Sequence, residues 1–497
     1  MKKLFYGGDI LTLTDTPAPE AVLTENGKIV DLGNLSLFDT PDCEKINLNG
    51  FTLMPAFIDA HSHFTQTAVS FLQASVNGAK SFGKIKEKIE KFVTDNGVAE
   101  GEWVTACDYD NNLFPDSAHL TLDEVESLLP RNPLVIKHKS GHSGFVNSLG
   151  ARELGRGESA FYAEEDEFFS LLKKTPAPSK EKLQKAFQSA QEKYLSHGIT
   201  VIQEGMATAE VLPYLTEACR DLTADLRIYP DINAYFKAKK LFNSEKAKVS
   251  GVKIFLDGSP QSKTAFVKTP YLDGSFGTPT MTKEQVLSAM EWAARQRVQL
   301  IAHCNGDGAI ERFLSCLEKT EEKYPDFKNC RPVIIHAQLM TAEQTLRAAR
   351  LGAVISFFIA HIKHWGDVHI KNLGYERAKL ISPANSALKN GAVFTFHQDT
   401  PVIDPDMLET AACAVERKTD GGTALAESEK ISVYDALLAV TANSAYQYFE
   451  ENTRGKIAKG MAADFVLLSE NPLKAQCLEK IKVLKTYKNA QCVFEKS

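Results

Sequence analysis

An apolar segment leads directly into two histidines in the sequence PAFIDAHSH at residues 55–63. In an extended strand, residues i and i+2 project to the same face, so the imidazoles of His61 and His63 can converge on one point. Imidazole pairs of this kind are typical ligands of zinc and related ions. The stretch therefore predicts a buried strand that carries half of a metal site.

Four later apolar runs each carry one further side chain that can bind a metal: Lys253 in VKIF, His303 in LIAH, His336 in VIIH and Asp399 in VFTFHQD. These candidates lie 50, 33 and 63 residues apart. A β-α-β unit needs about 30 residues or more. The runs are therefore expected to form buried, neighbouring strands of a parallel sheet.

The length of 497 residues and the hydrophobic content of 43% suit a (β/α)8 barrel of roughly 250 residues with insertions and an added domain. Strand-like runs alternate with helical patterns such as residues 283–294, as in a parallel α/β fold. Eight barrel strands are expected, in the run before His61 and at residues 200–203, 226–229, 252–255, 300–303, 333–336, 353–356 and 393–399. We predict an α/β, TIM-type barrel over residues 55–454, with an insertion at about 70–190 that includes the run 134–138.

Both ends of the chain have the pattern of short strands and turns. Strand-like runs occupy residues 9–14 and 26–33, and Asn26-Gly27 is a strong hairpin signal. The stretch from Gly455 continues in the same way through residues 464–468. We predict that residues 1–54 and 455–497 form one small β-sandwich domain.

Charge and composition exclude several classes of partner. The net charge is -6, and no Lys/Arg cluster of the kind found in nucleic-acid-binding domains is evident. The N-terminal MKKLFYGG has too short an apolar run for a signal peptide, and no run approaches the ~18 apolar residues of a membrane helix. Nine scattered cysteines without CxxC spacing favour reduced thiols. We expect a cytoplasmic enzyme with a small-molecule substrate; its oligomeric state stays open, a homodimer being one alternative.

The barrel-order set of HxH, Lys, His, His and Asp resembles the ligand order of the amidohydrolase superfamily. Finer motifs resemble its YtcJ-like branch, amidohydrolase family 3, which includes N-substituted formamide deformylase: VKIFLDGS at 252–259, GDGAI at 306–310, GHSGFVN at 141–147 and ADFVLL at 463–468. The resemblance covers nearly the whole chain. The chain has His397-Gln398 where the family usually has Gly-Ser, and Gly308 where it usually has Arg. Both departures are expected to concern the substrate rather than the metal chemistry.

The resemblance implies a site for one or two divalent ions, zinc being the expected metal. Its ligands would be His61, His63, Lys253, His303, His336 and Asp399. An ammonium about 4 Å from a dication would be repelled by roughly 8 kcal/mol at an effective dielectric of 20, so Lys253 would not be protonated there. The resemblance implies that Lys253 is carboxylated and that its carbamate bridges two ions. A barrel-core lysine paired with a carboxylate is the alternative.

The activity implied by the resemblance is hydrolysis of a carbon–nitrogen bond, in an amide or a formamide, by attack of a metal-bound hydroxide. Asp399 would be the catalytic general base and acid. A mononuclear metal-dependent deaminase is an alternative, although it has no need of Lys253. A non-catalytic scaffold of the same fold is a second alternative, for which loss of a ligand residue would be the signature.

Five further residues are candidate substrate contacts. His142 and Asn147 resemble family positions near the pocket, with a structural turn as the alternative. Asp257 closely follows Lys253, and an aspartate that caps the turn at Gly258 is the alternative role. His364 and Trp365 belong to the histidine-rich segment 361–369 after the seventh strand, where pocket lining and a solvated loop are equally expected.

Overall fold

The computed structural model describes residues 1–38, 42–139 and 143–496. The strands of this part of the chain are β1 Lys2–Tyr6, β2 Asp9–Ile10, β3 Ala21–Glu25, β4 Lys28–Gly33, β5 Glu44–Asn47, β6 Thr52–Pro55, β7 Phe57–Ile58, β8 Gln73–Ser75, β9 Val104–Tyr109, β10 Leu134–His138, β11 Ser143–Val146, β12 Phe161–Glu164, β13 Ile199–Ala207, β14 Asp225–Pro230, β15 Ala247–Val249, β16 Gly251–Phe255, β17 Gln299–Cys304, β18 Val333–His336, β19 Val354–Phe357, β20 Phe394–Phe396, β21 Phe465–Leu468, β22 Val483–Lys488 and β23 Gln491–Glu495.

The α-helices of the same ranges are α1 Phe64–Ser70, α2 Phe82–Asp95, α3 Leu122–Leu128, α4 Ser148–Glu153, α5 Glu165–Leu172, α6 Lys180–Ser196, α7 Leu212–Ala218, α8 Tyr235–Leu241, α9 Lys283–Gln296, α10 Asp307–Lys323, α11 Ala342–Arg350, α12 His361–Leu373, α13 Tyr375–Ala378, α14 Ala384–Lys389, α15 Met407–Glu416, α16 Val433–Ala439 and α17 Ala442–Gln447. Within the ranges the structure describes, none of these helices combines the length and apolar character needed to cross a membrane.

Two parallel sheets carry the predicted strands. Their orders are β15-β14-β13-β7 and β16-β17-β18-β19-β20. The strands are almost entirely buried, which explains why they read as continuous apolar runs rather than as alternating ones. Each of the eight predicted runs contains a strand, so the prediction of strands at these places is confirmed. The two sheets also contain β15, which no predicted run includes.

The two parallel sheets share one hydrophobic core, which includes Ile58, Val201, Ile301, Ile335 and Val354. Helices separate the successive strands of the second sheet, and they begin where the sequence offers a cap. At the start of α9, for example, the Thr282 side chain accepts a hydrogen bond from the Gln285 N–H, and the Gln285 side chain bonds back. The arrangement is a TIM-barrel-like α/β fold. The strands pair as two separate sheets, so one closed eight-stranded barrel stays a prediction.

Two further sheets are formed by the chain termini. One has the order β4-β3-β1-β5 and the other the order β2-β6-β21-β22-β23, in which β6 and β21 pair antiparallel. Asn26 and Gly27 form the predicted hairpin turn between β3 and β4, both with positive φ. Side chains from both termini, including Phe5 and Phe465, share a core. A separate β-sandwich domain over residues 1–54 and 455–497 stays a prediction.

The chain forms two compact units. The first contains residues 1–65 and 191–497, and the second contains residues 66–190. The second unit contains one five-stranded sheet with the order β12-β11-β10-β9-β8. Strands β8, β9 and β10 run parallel, whereas β11 and β12 continue the sheet antiparallel. The unit has its own core around Ile85, Val125 and Ile136. The predicted insertion at about 70–190 corresponds closely to this unit, although its boundaries stay a prediction.

A buried network of charges joins β14 to the C-terminal part of the first unit. The Asp225 carboxylate lies 2.8 Å from Lys488 Nζ and 2.6 Å from Arg454 Nη1. The fully buried Arg227 forms an ion pair with Glu450 at 2.7 Å. Burial alone would raise the pKa of Asp225, but Lys488, Arg454 and Arg227 hold it well below the usual range. The network therefore needs the ionised carboxylate.

Substitution of Asp225 by Asn is expected to lower the free energy of unfolding by about 2 kcal/mol at pH 7, because it removes one of the two carboxylates, Asp225 and Asp464, that the buried Lys488 and Arg454 share. Since folding lowers the pKa of Asp225, this stabilisation is present above the unfolded pKa of about 3.9 and is lost as the pH falls below it. Urea unfolding at pH 7, 4 and 3 measures the effect. Asp9→Asn removes the same charge from an exposed ion pair with Lys474 and should change stability little. Equal losses of unfolding free energy in Asp225→Asn and Asp9→Asn would contradict the stabilising role of the buried network.

Candidate metal centre

The six predicted ligand residues lie together at the C-terminal ends of the parallel strands. Lys253 is in β16, His303 is in β17 and His336 ends β18, whereas Asp399 follows β20. His61 and His63 follow β7, which ends at Ile58, so the prediction that the two histidines lie on an extended strand is wrong. The chain turns after the strand because the Asp59 carboxylate accepts a hydrogen bond from the His61 N–H at 3.2 Å. The two imidazoles nevertheless lie close together, with ring centroids 5.2 Å apart.

Distances between the candidate ligand atoms match those around a bound ion. Asp399 Oδ1 lies 3.5 Å from His61 Nε2 and 3.3 Å from His63 Nε2. His303 Nδ1 lies 3.0 Å from His336 Nε2. Bonds of 2.0–2.1 Å to a tetrahedral zinc place neighbouring ligand atoms about 3.3 Å apart. The donor atoms of His61, His336 and Asp399 all lie within 4.8 Å of one another, so the donor set fits a divalent ion.

Lys253 lies inside this cluster, with its Nζ 3.1 Å from His61 Nε2. Its side chain is among the largest that are fully buried. Burial lowers the pKa of Lys253 to about 7, because the interior disfavours the ammonium. A substantial neutral fraction is therefore available at neutral pH.

Hydrogen bonds on the far side of two rings fix which nitrogen faces the cluster. Gln203 Nε2 donates to the Ala60 carbonyl and to the Tyr448 hydroxyl, so its Oε1 accepts from His61 Nδ1 at 2.5 Å. An oxygen that only accepts requires the proton on the nitrogen it faces, so His61 Nε2 presents its lone pair to the cluster. His303 Nε2 lies 3.1 Å from the Gly258 carbonyl oxygen and 3.0 Å from Asn305 Nδ2, so His303 Nδ1 is the nitrogen that faces the cluster.

The electrostatics of the cluster favour neutral imidazoles and an ionised carboxylate. Burial holds the pKa of His61 and of His336 well below the usual range and lowers the pKa of His303 to about 4. Burial opposes ionisation of Asp399, but the hydrogen bond with His63, whose Nε2 lies 3.3 Å from Asp399 Oδ1, favours the carboxylate, and the pKa of Asp399 is held below the usual range. Neutral imidazole and carboxylate are the forms that bind metal.

Two of the candidate ligand residues have a strained backbone. His336 has φ +74° and Asp399 has φ +55°, in the left-handed region that costs a non-glycine residue about 1 kcal/mol or more. The close packing also requires Gly205, where a Cβ atom would lie 2.5 Å from His61 Cε1 and 2.8 Å from the Ser62 carbonyl oxygen. The surrounding structure thus holds the ligand residues in positions that they would not adopt alone.

Asp257 has a structural role in this site. Its two carboxylate oxygens accept hydrogen bonds from the backbone N–H groups of Asn305, Gly306 and Phe266 at 2.8–3.0 Å. These bonds hold the loop after β16 against the start of α10, and the same loop supplies the Gly258 carbonyl that orients His303. The position is therefore that of a residue that orients a ligand. Contact with substrate stays a prediction.

The other predicted substrate contacts lie in different surroundings. Asn147, in the second unit, caps α4 and uses its amide for hydrogen bonds to the backbone of Leu134, Gly150 and Asn132. His364 lies on the helix α12 rather than on a loop, between Glu409 and Asp420. Trp365 packs on His361 and Phe358. His142 lies outside the described residues. Substrate contact by these four residues stays a prediction.

Sequence reasoning missed His397 as a member of the cluster. His397 Nε2 lies 3.0 Å from His336 Nδ1, and its ring centroid is 5.2 Å from that of His61. The departure at His397 therefore lies against the candidate ligands, and the expectation that it concerns the substrate stays a prediction. The spacing in the sequence could have indicated His397, because it precedes Asp399 by two residues and side chains two apart in a strand face the same side. The sequence around Gln203, by contrast, does not indicate its hydrogen bond to His61, because it is a single glutamine in an apolar run.

Gly308 is explained by packing. A Cβ atom at this position would lie 2.9 Å from the Phe266 carbonyl oxygen and 3.0 Å from the Phe266 ring. The Phe266 carbonyl accepts hydrogen bonds from the N–H groups of Gly308 and Ala309 at the start of α10. A larger residue at position 308 would therefore displace this loop.

The chain is similar over most of its length to a known family of proteins. A sequence model of the amidohydrolase family matches residues 44–494. The YtcJ protein of Bacillus subtilis (strain 168) is 27% identical over 543 residues, with 100% of both chains covered. N-substituted formamide deformylase of Arthrobacter pascens is 22% identical, with 96% of this chain and 95% of the relative covered. The structure of an uncharacterised metal-dependent hydrolase from Pyrococcus furiosus has 23% identity and a TM-score of 0.80, covering 95% of this chain and 100% of the other. The chain belongs to the amidohydrolase family.

Proposed function

We propose that this protein is a metal-dependent hydrolase of carbon–nitrogen bonds. The observation that carries the proposal is the convergence of six side chains of ligand type from five parallel strands and the segments that follow them, in which each donor atom lies 3.0–3.5 Å from at least one other. His61, His63 and Asp399 would hold one divalent ion, and His303 and His336 a second, with zinc as the expected metal. A bound divalent ion supplies Lewis acidity, which polarises a carbonyl and makes water a nucleophile at neutral pH.

Lys253 would contribute to both sites as a carbamate. The neutral Nζ adds to carbon dioxide, a nitrogen–carbon bond forms, one carbon–oxygen π bond breaks and one proton is released, which leaves a side chain whose two terminal oxygens share one negative charge. The burial of Lys253, its Nζ 3.1 Å from His61 Nε2 and its lowered pKa support this modification. An unmodified ammonium at the same position would repel a dication.

Asp399 would move the proton during hydrolysis. Its carboxylate accepts a proton from the attacking water, whose oxygen forms a bond to the carbonyl carbon. The carbon–nitrogen bond then breaks, and Asp399 returns the proton to the leaving nitrogen. The ionised state of Asp399 and its place beside His61 and His63 support this role. The products would be a carboxylic acid, or formate, and an amine.

The substrate class would be a small amide or formamide. The relative named N-substituted formamide deformylase supports this choice, because it matches 96% of this chain. The carbonyl of a formamide carries only a hydrogen beside its nitrogen, so it needs little space at the reacting carbon. A cytoplasmic location and zinc as the native metal stay predictions.

Removal of the metal is expected to abolish hydrolysis, because the remaining side chains alone supply only a base. Chelator-treated protein should cleave N-alkyl formamides and N-acyl amines at least 10²-fold more slowly than untreated protein, and added zinc, manganese or cobalt should restore the rate. Released formate and amine are measured in parallel. Protein that passes through the same buffer exchanges without chelator is the control.

Unchanged turnover by the metal-free protein would contradict the proposal. Release of ammonia from amino-substituted heterocycles, without cleavage of any amide or formamide, would support the mononuclear deaminase instead. Metal-replete protein that binds a partner tightly and hydrolyses none of these compounds would support the scaffold.

A further inference from the structure

His397 is a fifth histidine of the cluster, and none of the proposed ligand positions includes it. It is fully buried, and its ring centroid lies 5.1 Å from that of His336 and 5.2 Å from that of His61. Both of its ring nitrogens have partners: Nε2 lies 3.0 Å from His336 Nδ1, and Nδ1 lies 2.8 Å from Ser356 Oγ. The side chain therefore joins strand β19 to a ligand residue at the end of β18.

The order of protons along this chain of hydrogen bonds follows from the ligand role of His336. His336 Nε2 is the nitrogen that faces His303, so it must be free of a proton in order to bind an ion. The neutral ring then has its proton on Nδ1, which donates to His397 Nε2. His397 in turn has its proton on Nδ1, which donates to Ser356 Oγ. One arrangement of protons satisfies all three side chains.

The partners of the other ligand histidines show what this bond does. Gln203 Oε1 accepts from the outer nitrogen of His61, and the outer nitrogen of His303 lies 3.1 Å from the Gly258 carbonyl oxygen and 3.0 Å from Asn305 Nδ2. Such outer partners fix the tautomer and the ring orientation of a ligand histidine. His397 occupies the equivalent position for His336.

We propose that His397 is a positioning residue of the metal centre, whose Nε2 accepts the Nδ1–H of His336 and holds His336 Nε2 toward the ion, with Ser356 fixing the tautomer of His397. The inference rests on the proposed function, because it requires a bound metal. It adds a residue to the site that the sequence pattern of the family does not supply.

The test compares His397→Leu, which removes the acceptor, with His397→Gln, whose amide oxygen retains one. Affinity for Co²⁺ and Zn²⁺ is measured by competition with a chromogenic chelator, and the visible spectrum of the Co²⁺ form reports the geometry around the ion. We expect His397→Leu to weaken binding of one metal equivalent about 10- to 100-fold and to change the spectrum. His397→Gln should bind with close to wild-type affinity and spectrum, and Ser356→Ala should show a smaller loss than His397→Leu.

His369→Leu is the matched control, because His369 is also a fully buried histidine and pairs with His361 rather than with a ligand. It should bind metal as the wild type does, whereas thermal unfolding of the metal-free proteins reports the general cost of losing a buried imidazole. If His397→Leu does not fold, the metal affinity of Ser356→Ala is compared with that of the wild type. Unchanged metal affinity in Ser356→Ala would then overturn the inference.

Two further results would overturn it. Wild-type affinity and spectrum in His397→Leu would show that the acceptor is not needed. Equal weakening in His397→Gln and His397→Leu would show that the imidazole itself, and not a hydrogen-bond acceptor, is required. Failure of the wild-type protein to bind any divalent metal would instead contradict the proposed function, so the two failures are distinguishable.

Discussion

Replacement of Asp399 by Asn is expected to lower kcat/KM for the cleaved substrate by about 10³-fold. The amide has the same shape as the carboxylate, but it cannot take a proton from water, and loss of a general base costs typically 10²–10⁴-fold. The amide would also bind the ion facing His61 and His63 less tightly than the carboxylate does, because it carries no charge. Steady-state rates are therefore measured with metal in excess, and the metal content of the variant is determined in the same preparation.

Asp404→Asn is the matched control for this loss. Asp404 lies five residues later, is exposed, and pairs with Lys193. Its removal should leave the rate and metal content unchanged. A rate in Asp399→Asn above one-tenth of the wild-type value, with metal bound, would show that another group moves the proton.

The second large effect is expected at Lys253. Lys253→Ala should lower activity by about 10³-fold, which corresponds to the several kcal/mol that a correctly held metal contributes. The variant would lack the proposed carbamate and should bind fewer than two ions. Because the truncated side chain leaves a buried space, added formate or acetate should supply carboxylate oxygens and restore part of the activity.

Lys253→Met is the control for this rescue. It also lacks the amine, but its thioether side chain fills the space, so small carboxylates should not restore its activity. Rescue of both variants to the same extent would show that the added carboxylate acts elsewhere. Full activity of Lys253→Met without added carboxylate would contradict a carbamate.

The parallel strands could be predicted because each is buried on both faces and therefore reads as an unbroken apolar run, as VIIH at 333–336 does. The order of ligand residues along these runs also indicated the site. The conformation of His61 and His63 could not be predicted from the apolar run before them. The turn after Ile58 depends on the Asp59 side chain and not on strand periodicity. Similarly, residues 361–369 contain too little apolar regularity to distinguish a loop from the helix α12.

The partners of the ligands were harder to predict than the ligands themselves. Gln203 and Tyr448 act through hydrogen bonds between residues far apart in the chain, and a single polar residue in an apolar run does not indicate its partner. His397 did have a local signal, in its spacing from Asp399. Asn147 lies in a motif that did attract attention, but the motif does not distinguish a substrate contact from the helix cap that Asn147 forms at α4.

The most direct test of the central claim is the metal content of the wild-type chain. Protein purified without chelator is examined by elemental analysis, and its intact mass is measured under conditions that preserve carbamates. We expect two divalent ions per chain and a mass increased by one carbon dioxide on Lys253. One ion per chain with an unmodified lysine would contradict the two-ion site.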